Sequence, residues 1–341
     1  MAKIDALVIG SDSIEAGERK SIDLPIADLY TGTSLYMPVK VIRGKRAGPI
    51  LFVSAAVHGD ELNGVEIIRR LLAQKALRSI RGTLIAVPVV NVHGFLNQSR
   101  YLPDRRDLNR SFPGSAKGSI ASRMAHTFLQ EIVSKADYGI DLHTGAINRS
   151  NFPQIRANLD DPATSDLAHS FGAPVMLNAS IRDGSLRGCS AERGFPMLVY
   201  EAGEALRFDE VAIRAGLRGV LRVMRYLEML PAIKSKSSKH IEPVVAASTS
   251  WLRAPASGIV SRKALLGARV VEGQQLAIVG DPLGEAQEKV IAPFDGIVIG
   301  RSNLPLAHEG DALFNVAAFK SVSRAETKVE QFAALHSELE D

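Results

Sequence analysis

The sequence predicts an α/β fold, in which helices cover both faces of a central sheet, followed by a smaller all-β region. Between residues 47 and 230, apolar runs typical of buried strands alternate with segments of helical periodicity. A stretch rich in Lys, Ser and Pro follows at residues 231–243, as in a linker. Beyond it the chain consists of short runs rich in Gly and Val. These three observations predict two domains.

The elements of the first domain follow from their apolar residues in order. Residues 49–57 form a continuous apolar run, which predicts a strand buried on both faces, and residues 61–74 carry apolar side chains at helical spacing. The pattern then repeats, with strands predicted at 83–90, 138–142, 174–177 and 197–200 and helices at 119–135, 166–171 and 209–230. We assign residues 1–235 to this domain and leave open what the β-rich residues 1–45 pack against.

The second domain contains an internal repeat. Residues 254–260 and 292–298 share the pattern Ala-Pro-x-x-Gly-Ile-Val, and residues 272–276 and 309–313 share Glu-Gly-x-x-Leu. Two similar halves predict a small pseudo-symmetric β domain, which we place at residues 245–320. The remaining residues, 321–341, form a charged, Ala-rich tail, either a terminal helix or a frayed end.

Composition excludes several classes of protein. The 341 residues include 41 basic and 37 acidic ones, a balance unlike that of a protein that coats nucleic acid. The longest apolar runs are far shorter than the ~20 residues of a membrane span. A single cysteine, Cys189, cannot form an intrachain disulfide, and the N-terminus lacks the pattern of a signal peptide. We therefore expect no nucleic-acid or membrane partner and a cytoplasmic location.

Polar residues follow several of the predicted strands at the point where each strand ends. His58 and Glu61 come after the first strand, His143 follows the third, and Glu201 follows residues 197–200. The carboxyl ends of strands in an open α/β sheet share one rim. Two histidines and a carboxylate with an open position are typical of a catalytic zinc site. Each residue alone also suits an ordinary strand end or helix start, so the prediction depends on their convergence.

An irregular loop at residues 99–114 carries several charges. Arg110 offers a planar guanidinium that fits a carboxylate, and Asn109 offers an amide donor beside it. Arg100 lies at the start of the same loop. We expect Arg105 and Arg106 to face solvent.

These ordered motifs resemble the succinylglutamate desuccinylase/aspartoacylase family, a branch of the zinc carboxypeptidase-like fold with a mixed central sheet. The resemblance covers residues 47–230 and implies one zinc ion per chain. The residues that it assigns to the site are zinc ligands His58, Glu61 and His143, general base Glu201, carbonyl-polarising Arg100, α-carboxylate-binding Asn109 and Arg110, and Asp107, which orients a zinc-binding histidine.

The resemblance implies a zinc-dependent hydrolase that cleaves the amide bond of a small anionic N-acyl amino acid, with Glu201 as base and then acid. Two alternatives remain: a metallocarboxypeptidase acting on short peptides or peptidoglycan stems, and a metal-binding scaffold without activity. The acyl group and the amino acid stay open. Arg156 is a candidate substrate contact, and His93 has no assigned role.

The second domain resembles the barrel-sandwich hybrid fold of biotinyl and lipoyl carrier domains. Those carriers display a modifiable lysine on the hairpin between their halves, whereas residues 280–287 contain no lysine. A structural role or a homo-oligomer contact is therefore the expected role. An α/β part with a β-rich tail of this size is also similar to the relatives that deacetylate N-acetyl-diaminobutyrate.

Overall fold

The computed structural model describes residues 5–179, 182–232, 241–261 and 264–337. Most of the predicted linker at 231–243 therefore lies outside the described residues. None of the described helices is long and apolar enough to cross a membrane.

The regular elements are numbered in chain order. The strands are β1 (Leu7–Ile9), β2 (Asp12–Ile14), β3 (Arg19–Asp28), β4 (Ser34–Arg43), β5 (Ile50–Ala55), β6 (Thr83–Val87), β7 (Tyr138–Gly145), β8 (Arg149–Ala157), β9 (Val175–Asn178), β10 (Met197–Glu204), β11 (Val244–Ala246), β12 (Ser248–Arg253), β13 (Gly258–Ser261), β14 (Arg269–Val270), β15 (Gln275–Gly280), β16 (Gln287–Ile291), β17 (Gly296–Ser302), β18 (Leu306–Ala307) and β19 (Ala312–Ala318). The α-helices are α1 (Asn63–Leu72), α2 (Val92–Leu96), α3 (Ile120–Glu131), α4 (Pro162–Phe171), α5 (Leu186–Glu192), α6 (Glu210–Tyr226) and α7 (Val322–Ser337), and short 3₁₀ helices lie at Lys75–Ser79, Leu108–Arg110 and Val133–Lys135.

A mixed sheet runs through the molecule in the order β12-β19-β17-β8-β10-β7-β5-β6-β4-β3. Its centre is parallel, because β10, β7, β5 and β6 pair in the same direction. The flanking strands β8 and β4 run antiparallel to it. The predicted mixed α/β fold is confirmed.

Helices cover both faces of this sheet. On one face α1, α4, α6 and α7 bury an apolar stripe each, for example Ile67, Ile68 and Leu71 of α1. On the other face α3 and α5 pack over the sheet together with the β1–β2 hairpin. Side-chain caps define where several helices begin: Asp161 and Asp209 accept from the backbone N–H groups of Thr164 and Ala212.

The structure differs from the sequence prediction at two central elements. Strand β10 continues to Glu204, so Glu201 lies within the strand and not after it. Strand β8 was not predicted, because Pro153 lies in its middle and proline argues against a strand that is paired on both sides. Pro153 is accommodated at the irregularity of the β8–β10 ladder, between Gln154 and Asn151.

The N-terminal segment joins the large sheet. Strands β3 and β4 form a long hairpin, and β4 pairs with β6. The buried side chains Ile22, Leu24 and Met37 of this hairpin contribute to the core beneath α3. Residues 19–43 therefore pack on the α/β sheet.

The C-terminal strands divide between two sheets. Strands β16, β15, β13 and β18 form a separate four-stranded sheet, whereas β12, β19 and β17 continue the large sheet, since β17 pairs with β8 at Gly300 and Asn151. Helix α7 then returns to the main core, where Phe332 contacts Phe152 edge to face. Hydrogen bonds between β17 and β8 join residues 245–320 to the large sheet. A separate domain at residues 245–320 therefore remains a proposal.

Candidate metal centre and substrate pocket

The carboxyl ends of β5, β7 and β10 lie side by side and meet at one cavity. His58 and Glu61 occupy the turn between β5 and α1, His143 lies near the end of β7, and Glu201 lies on β10 in register with His143. The cavity at this edge has a volume of about 260 Å³ and all four residues line it. The convergence that the sequence predicted is therefore present.

Glu61 connects the two histidines. Its Oε1 lies 2.7 Å from His58 Nδ1 and its Oε2 lies 2.7 Å from His143 Nδ1. One donor atom from each of the three residues falls within 4.8 Å of the others, and all three side chains are buried. This group could hold a metal ion.

A carboxylate contacts the far nitrogen of each imidazole. Asp107 Oδ1 lies 3.1 Å from His58 Nε2, and Asp141 Oδ2 lies 2.6 Å from His143 Nε2. Asp141 is itself held by the hydroxyl of Ser54, which donates to Oδ1 at 2.8 Å. Both rings are thus fixed with Nδ1 towards Glu61. Sequence reasoning included Asp107 and missed Asp141, although Asp141 is two residues from His143 on the same strand.

These contacts change the pKa values of Glu61, His143 and His58. Burial raises the pKa of Glu61, but the two imidazoles outweigh burial and hold it well below its usual range. Burial lowers the pKa of His143, but Asp141 and Glu61 raise it well above its ordinary value. Burial also lowers the pKa of His58, but Glu61 and Asp107 outweigh burial and raise that pKa above its ordinary value.

The donor set fits a divalent cation. Two imidazoles and one carboxylate are typical ligands of zinc, and histidine ligands commonly donate their other ring N–H to a carboxylate. Three carboxylates, Glu61, Asp107 and Asp141, surround the two rings. A cation between the Nδ1 atoms complements that negative charge, so the residues present suit the ion that the resemblance implies.

Arg100 reaches the cluster from the loop after α2. Its Nη2 donates to Asp107 Oδ2 at 2.8 Å and its Nε donates to the same oxygen at 3.2 Å. Its Nη1 lies 3.5 Å from Glu61 Oε1, at the edge of the cavity. A permanent cation is therefore fixed beside the candidate metal ligands.

Glu201 lies at the junction between the metal cluster and the rest of the cavity. Asn151 Nδ2 on β8 donates to its Oε2 at 2.5 Å, and Arg156 Nε lies 3.5 Å from its Oε1. Its neighbour Glu204 points elsewhere, since it accepts from the Asn148 backbone and from Asn303. Of the two glutamates, Glu201 alone lines the cavity among the described residues.

Asn109 and Arg110 line the cavity beyond Arg100. Asn109 Oδ1 accepts from the Leu186 backbone N–H at 2.9 Å, which leaves the amide NH₂ to donate. Arg110 is exposed and donates to the Asn109 carbonyl. Arg105 and Arg106 are also exposed, and neither of them lines this cavity.

The far side of the cavity carries residues that sequence reasoning did not assign. These are Arg149, Arg156, Arg182, Arg187 and Trp251. Only Arg156 was considered from the sequence. Trp251 comes from β12 in the C-terminal region, and the Arg149 guanidinium lies 5.5 Å from the centre of its ring.

His93 is buried on α2 and does not line the cavity. Its Nε2 makes no hydrogen bond to any residue that the structure describes. Burial lowers the pKa of this imidazole. Among the described residues, no hydrogen bond or ion pair joins the His93 side chain to the candidate metal ligands.

Comparison with known proteins identifies relatives of this chain. Residues 47–227 match the model of the succinylglutamate desuccinylase/aspartoacylase catalytic domain. A curated relative, the N-alpha-acetyl-L-2,4-diaminobutyric acid deacetylase of Halomonas elongata, is 25% identical over 319 residues, which cover 90% of this chain and 92% of the relative.

Solved structures extend the likeness to nearly the whole chain. The product-bound ectoine utilization protein EutE (DoeB) of Ruegeria pomeroyi superposes with a TM-score of 0.79 at 25% identity, covering 88% of this chain and 95% of that one. The succinylglutamate desuccinylase/aspartoacylase of Rhodobacter sphaeroides gives 0.77 at 24% identity, covering 89% and 95%. The matched length includes the C-terminal strands as well as the α/β part.

Proposed function

Since this chain belongs to the succinylglutamate desuccinylase/aspartoacylase family, we propose that it is a zinc-dependent hydrolase that releases the acyl group of an N-acyl amino acid. The observation that carries the proposal is the position of Glu201 on the strand beside His143, at the edge of the cavity that also contains His58 and Glu61. The deacetylase activity named for the Halomonas elongata relative supports a linear amide as substrate.

His58, Glu61 and His143 would hold the ion, one per chain. When bound there, zinc lowers the pKa of a water and polarises a carbonyl oxygen. Asp107 and Asp141 keep the two imidazoles oriented, because each contacts the ring nitrogen that faces away from Glu61.

Glu201 takes a proton from the attacking water and passes it to the leaving amine. The hydrogen bond from Asn151 fixes Oε2, and we assign proton transfer to Oε1, which lies 3.5 Å from Arg156 Nε. A positioned general base of this kind contributes roughly 10²–10⁴-fold to rate. Its place between the metal cluster and the open part of the cavity suits both halves of the reaction.

Arg100 stabilises the negative charge that develops on the carbonyl oxygen. It is held in place by two hydrogen bonds to Asp107, and a donor fixed in advance costs no reorganisation when charge develops. Asn109 and Arg110 bind the α-carboxylate of the substrate, and this contact orients the amide towards Glu201.

A panel of substrates tests the proposal. Zinc-reconstituted protein is assayed with N-acetyl, N-succinyl and N-formyl amino acids and with short peptides. We expect release of free amino acid from at least one N-acyl amino acid, loss of activity with a chelator and recovery with zinc. Faster cleavage of peptides favours a metallocarboxypeptidase. One bound zinc per chain without turnover of any compound favours an inactive scaffold and overturns the proposal.

A further inference from the structure

The strand segment that carries Asn151 joins the α/β sheet to the C-terminal strands. The Asn151 backbone is in register with Gly203 of β10 on one side and with Gly300 of β17 on the other. The Asn151 side chain is buried, and its Nδ2 donates to Glu201 Oε2 at 2.5 Å. The C-terminal region therefore borders the amide that holds the proposed base.

Gly300 leaves the room that the Asn151 side chain occupies. A Cβ atom at position 300 would lie 3.1 Å from Asn151 Oδ1, 3.2 Å from Asn315 Cβ and 3.5 Å from Trp251 Cη2. The Gly300 backbone is outside the left-handed region, so glycine supplies room here and not a special conformation. Because the end of a side chain yields more easily than packed backbone, an added Cβ would displace the Asn151 amide.

The two ends of the Asn151 amide have different surroundings. Its carbonyl oxygen lies against Gly300, whereas its NH₂ group faces Glu201. An NH₂ group only donates, so Oε2 of Glu201 accepts this hydrogen bond while that oxygen carries no proton. An amide turned the other way would offer its own carbonyl oxygen to Oε2 and would favour a proton there. The orientation of the amide thus decides which oxygen of Glu201 is protonated.

Resting on the proposed function, we propose that Gly300 and Asn151 are positioning residues for Glu201. Gly300 admits the Asn151 amide with its NH₂ group towards Glu201. The amide keeps the proton taken from the attacking water on Oε1, from which it passes to the leaving amine. Both residues act through Glu201, so the C-terminal region contributes to the reaction through the room at Gly300.

A double-mutant cycle in the zinc-loaded protein tests this pairing. We measure kcat and KM with the fastest N-acyl amino acid for the wild type, Asn151→Ala, Gly300→Ala and the double variant. Asn151→Ala should lower kcat about 10–100-fold, as loss of a hydrogen bond to a charged group does, and Gly300→Ala about 10-fold. KM should stay within about 3-fold of the wild type in both. In the Asn151→Ala background, Gly300→Ala should cost less than about 2-fold in kcat, because the side chain through which it acts is absent.

Gly280→Ala is the matched control. A Cβ atom there would lie 3.1 Å from the Ala286 carbonyl oxygen, as tight as the contact at Gly300, but Gly280 lies on β15 and does not line the cavity. This variant should keep kcat within about 2-fold of the wild type. Zinc content and urea unfolding show whether each variant keeps the metal and the fold. Asn151→Ala adds no atoms, so it tests the proposal even where Gly300→Ala does not fold.

A spectrum of the asparagine side chains tests the same pairing without turnover. The protein is labelled with ¹⁵N at asparagine only, and the Asn151 NH₂ signal is the one that Asn151→Ala removes. We expect Gly300→Ala to move this signal by more than its line width, because the hydrogen bond to a carboxylate is disturbed. Gly280→Ala should leave the signal in place.

Three outcomes overturn the inference: wild-type kcat in Asn151→Ala, a loss confined to KM, or an equal loss from Gly300→Ala with and without the Asn151 side chain. An Asn151 signal unmoved by Gly300→Ala overturns it as well. If N-acyl amino acids are hydrolysed and the two variants act independently, the inference fails and the hydrolase stands. If none is hydrolysed but Gly300→Ala moves the Asn151 signal, the orientation of Asn151 by Gly300 stands and the hydrolase fails.

Discussion

The two ends of the cavity differ in how their charged side chains are paired. At the metal end, Glu61, Asp107 and Asp141 each contact an imidazole of the protein itself. At the arginine end, comprising Arg156, Arg182 and Arg187, Arg156 lies 3.5 Å from Glu201 and Arg187 donates to the Ala179 carbonyl. Side chains that hold one another through several short contacts are fixed in geometry. The metal end is therefore the part of the cavity where we place the proposed reaction.

The largest effect is expected at Glu201, which lies where the two ends of the cavity meet. Glu201→Gln keeps the shape and removes the base, so we expect kcat to fall by roughly 10²–10⁴-fold. Zinc content, measured by mass spectrometry, should stay at one per chain.

Glu204→Gln is the matched control, since Glu204 lies on the same strand and does not line the cavity. It should leave kcat within a few-fold of the wild type. An equal loss of kcat in both variants would show that Glu201 is not the base.

A smaller effect is expected from the outer carboxylate of the metal end. Asp141→Asn weakens the acceptor on His143 Nε2, and loss of such a partner typically costs about 10–100-fold in metal affinity. A competition titration with a chromophoric chelator measures it.

Asp137→Asn serves as the control just before the same strand, because Asp137 is exposed and its side chain accepts from the Ile50 backbone N–H, away from the metal cluster. If it weakens zinc as much as Asp141→Asn, orientation of the imidazole is not the cause. If neither variant changes zinc affinity, the metal end is not held by its outer carboxylates and the comparison between the two ends breaks.

The smallest effect is expected at an ion-pair network outside the cavity, which serves as a comparison for both of its ends. Hydrogen bonds from Arg69, with those from Arg70, lower the pKa of Glu66 to about 2. A depressed carboxyl pKa stabilises the fold above the ordinary value of 4.5, and that contribution declines as the pH falls from 4.5 towards 2. Glu66→Gln should therefore cost about 1 kcal/mol of unfolding free energy at pH 7 and less at pH 3.5.

Urea unfolding at pH 7, 5 and 3.5 measures this difference. Glu285→Gln, at an exposed glutamate of the β15–β16 hairpin, should show no comparable loss at any of the three pH values. A Glu66→Gln cost that does not shrink at pH 3.5 would contradict the assigned pKa. Neither variant should alter zinc affinity.

The two ends also differ in how well sequence predicts them. His58, Glu61 and His143 follow apolar runs that are recognisable as strands, and parallel strands bring their ends together. Arg182 lies in a loop, and Trp251 comes from a distant strand. No local pattern indicates which way such side chains point. The fold class was predictable for the same reason as the metal end, because both depend on apolar runs that are recognisable as strands.

What the sequence could not predict depends on pairing between distant segments. Pro153 makes β8 hard to recognise as a strand from the sequence. Its partner β17 belongs to a region that the sequence predicts to be a separate β domain. The register of strands far apart in the chain leaves no periodic signal, because periodicity reports only which face of a strand is buried. The site roles assigned by resemblance stay predictions, and the Glu201 variant tests one of them.

The pairing of β17 with β8 has a consequence for synthesis of the chain. Residues Gln154–Ala157 of β8 pair with β9 soon after they are made, but Asn151 waits for Gly300, 149 residues later. At about 5–20 residues per second, that interval is roughly 7–30 s on the ribosome. Throughout it, the strand segment that carries the Glu201 hydrogen-bond donor has an open edge. During that interval the nascent chain thus has an unpaired strand edge at the border of the candidate site.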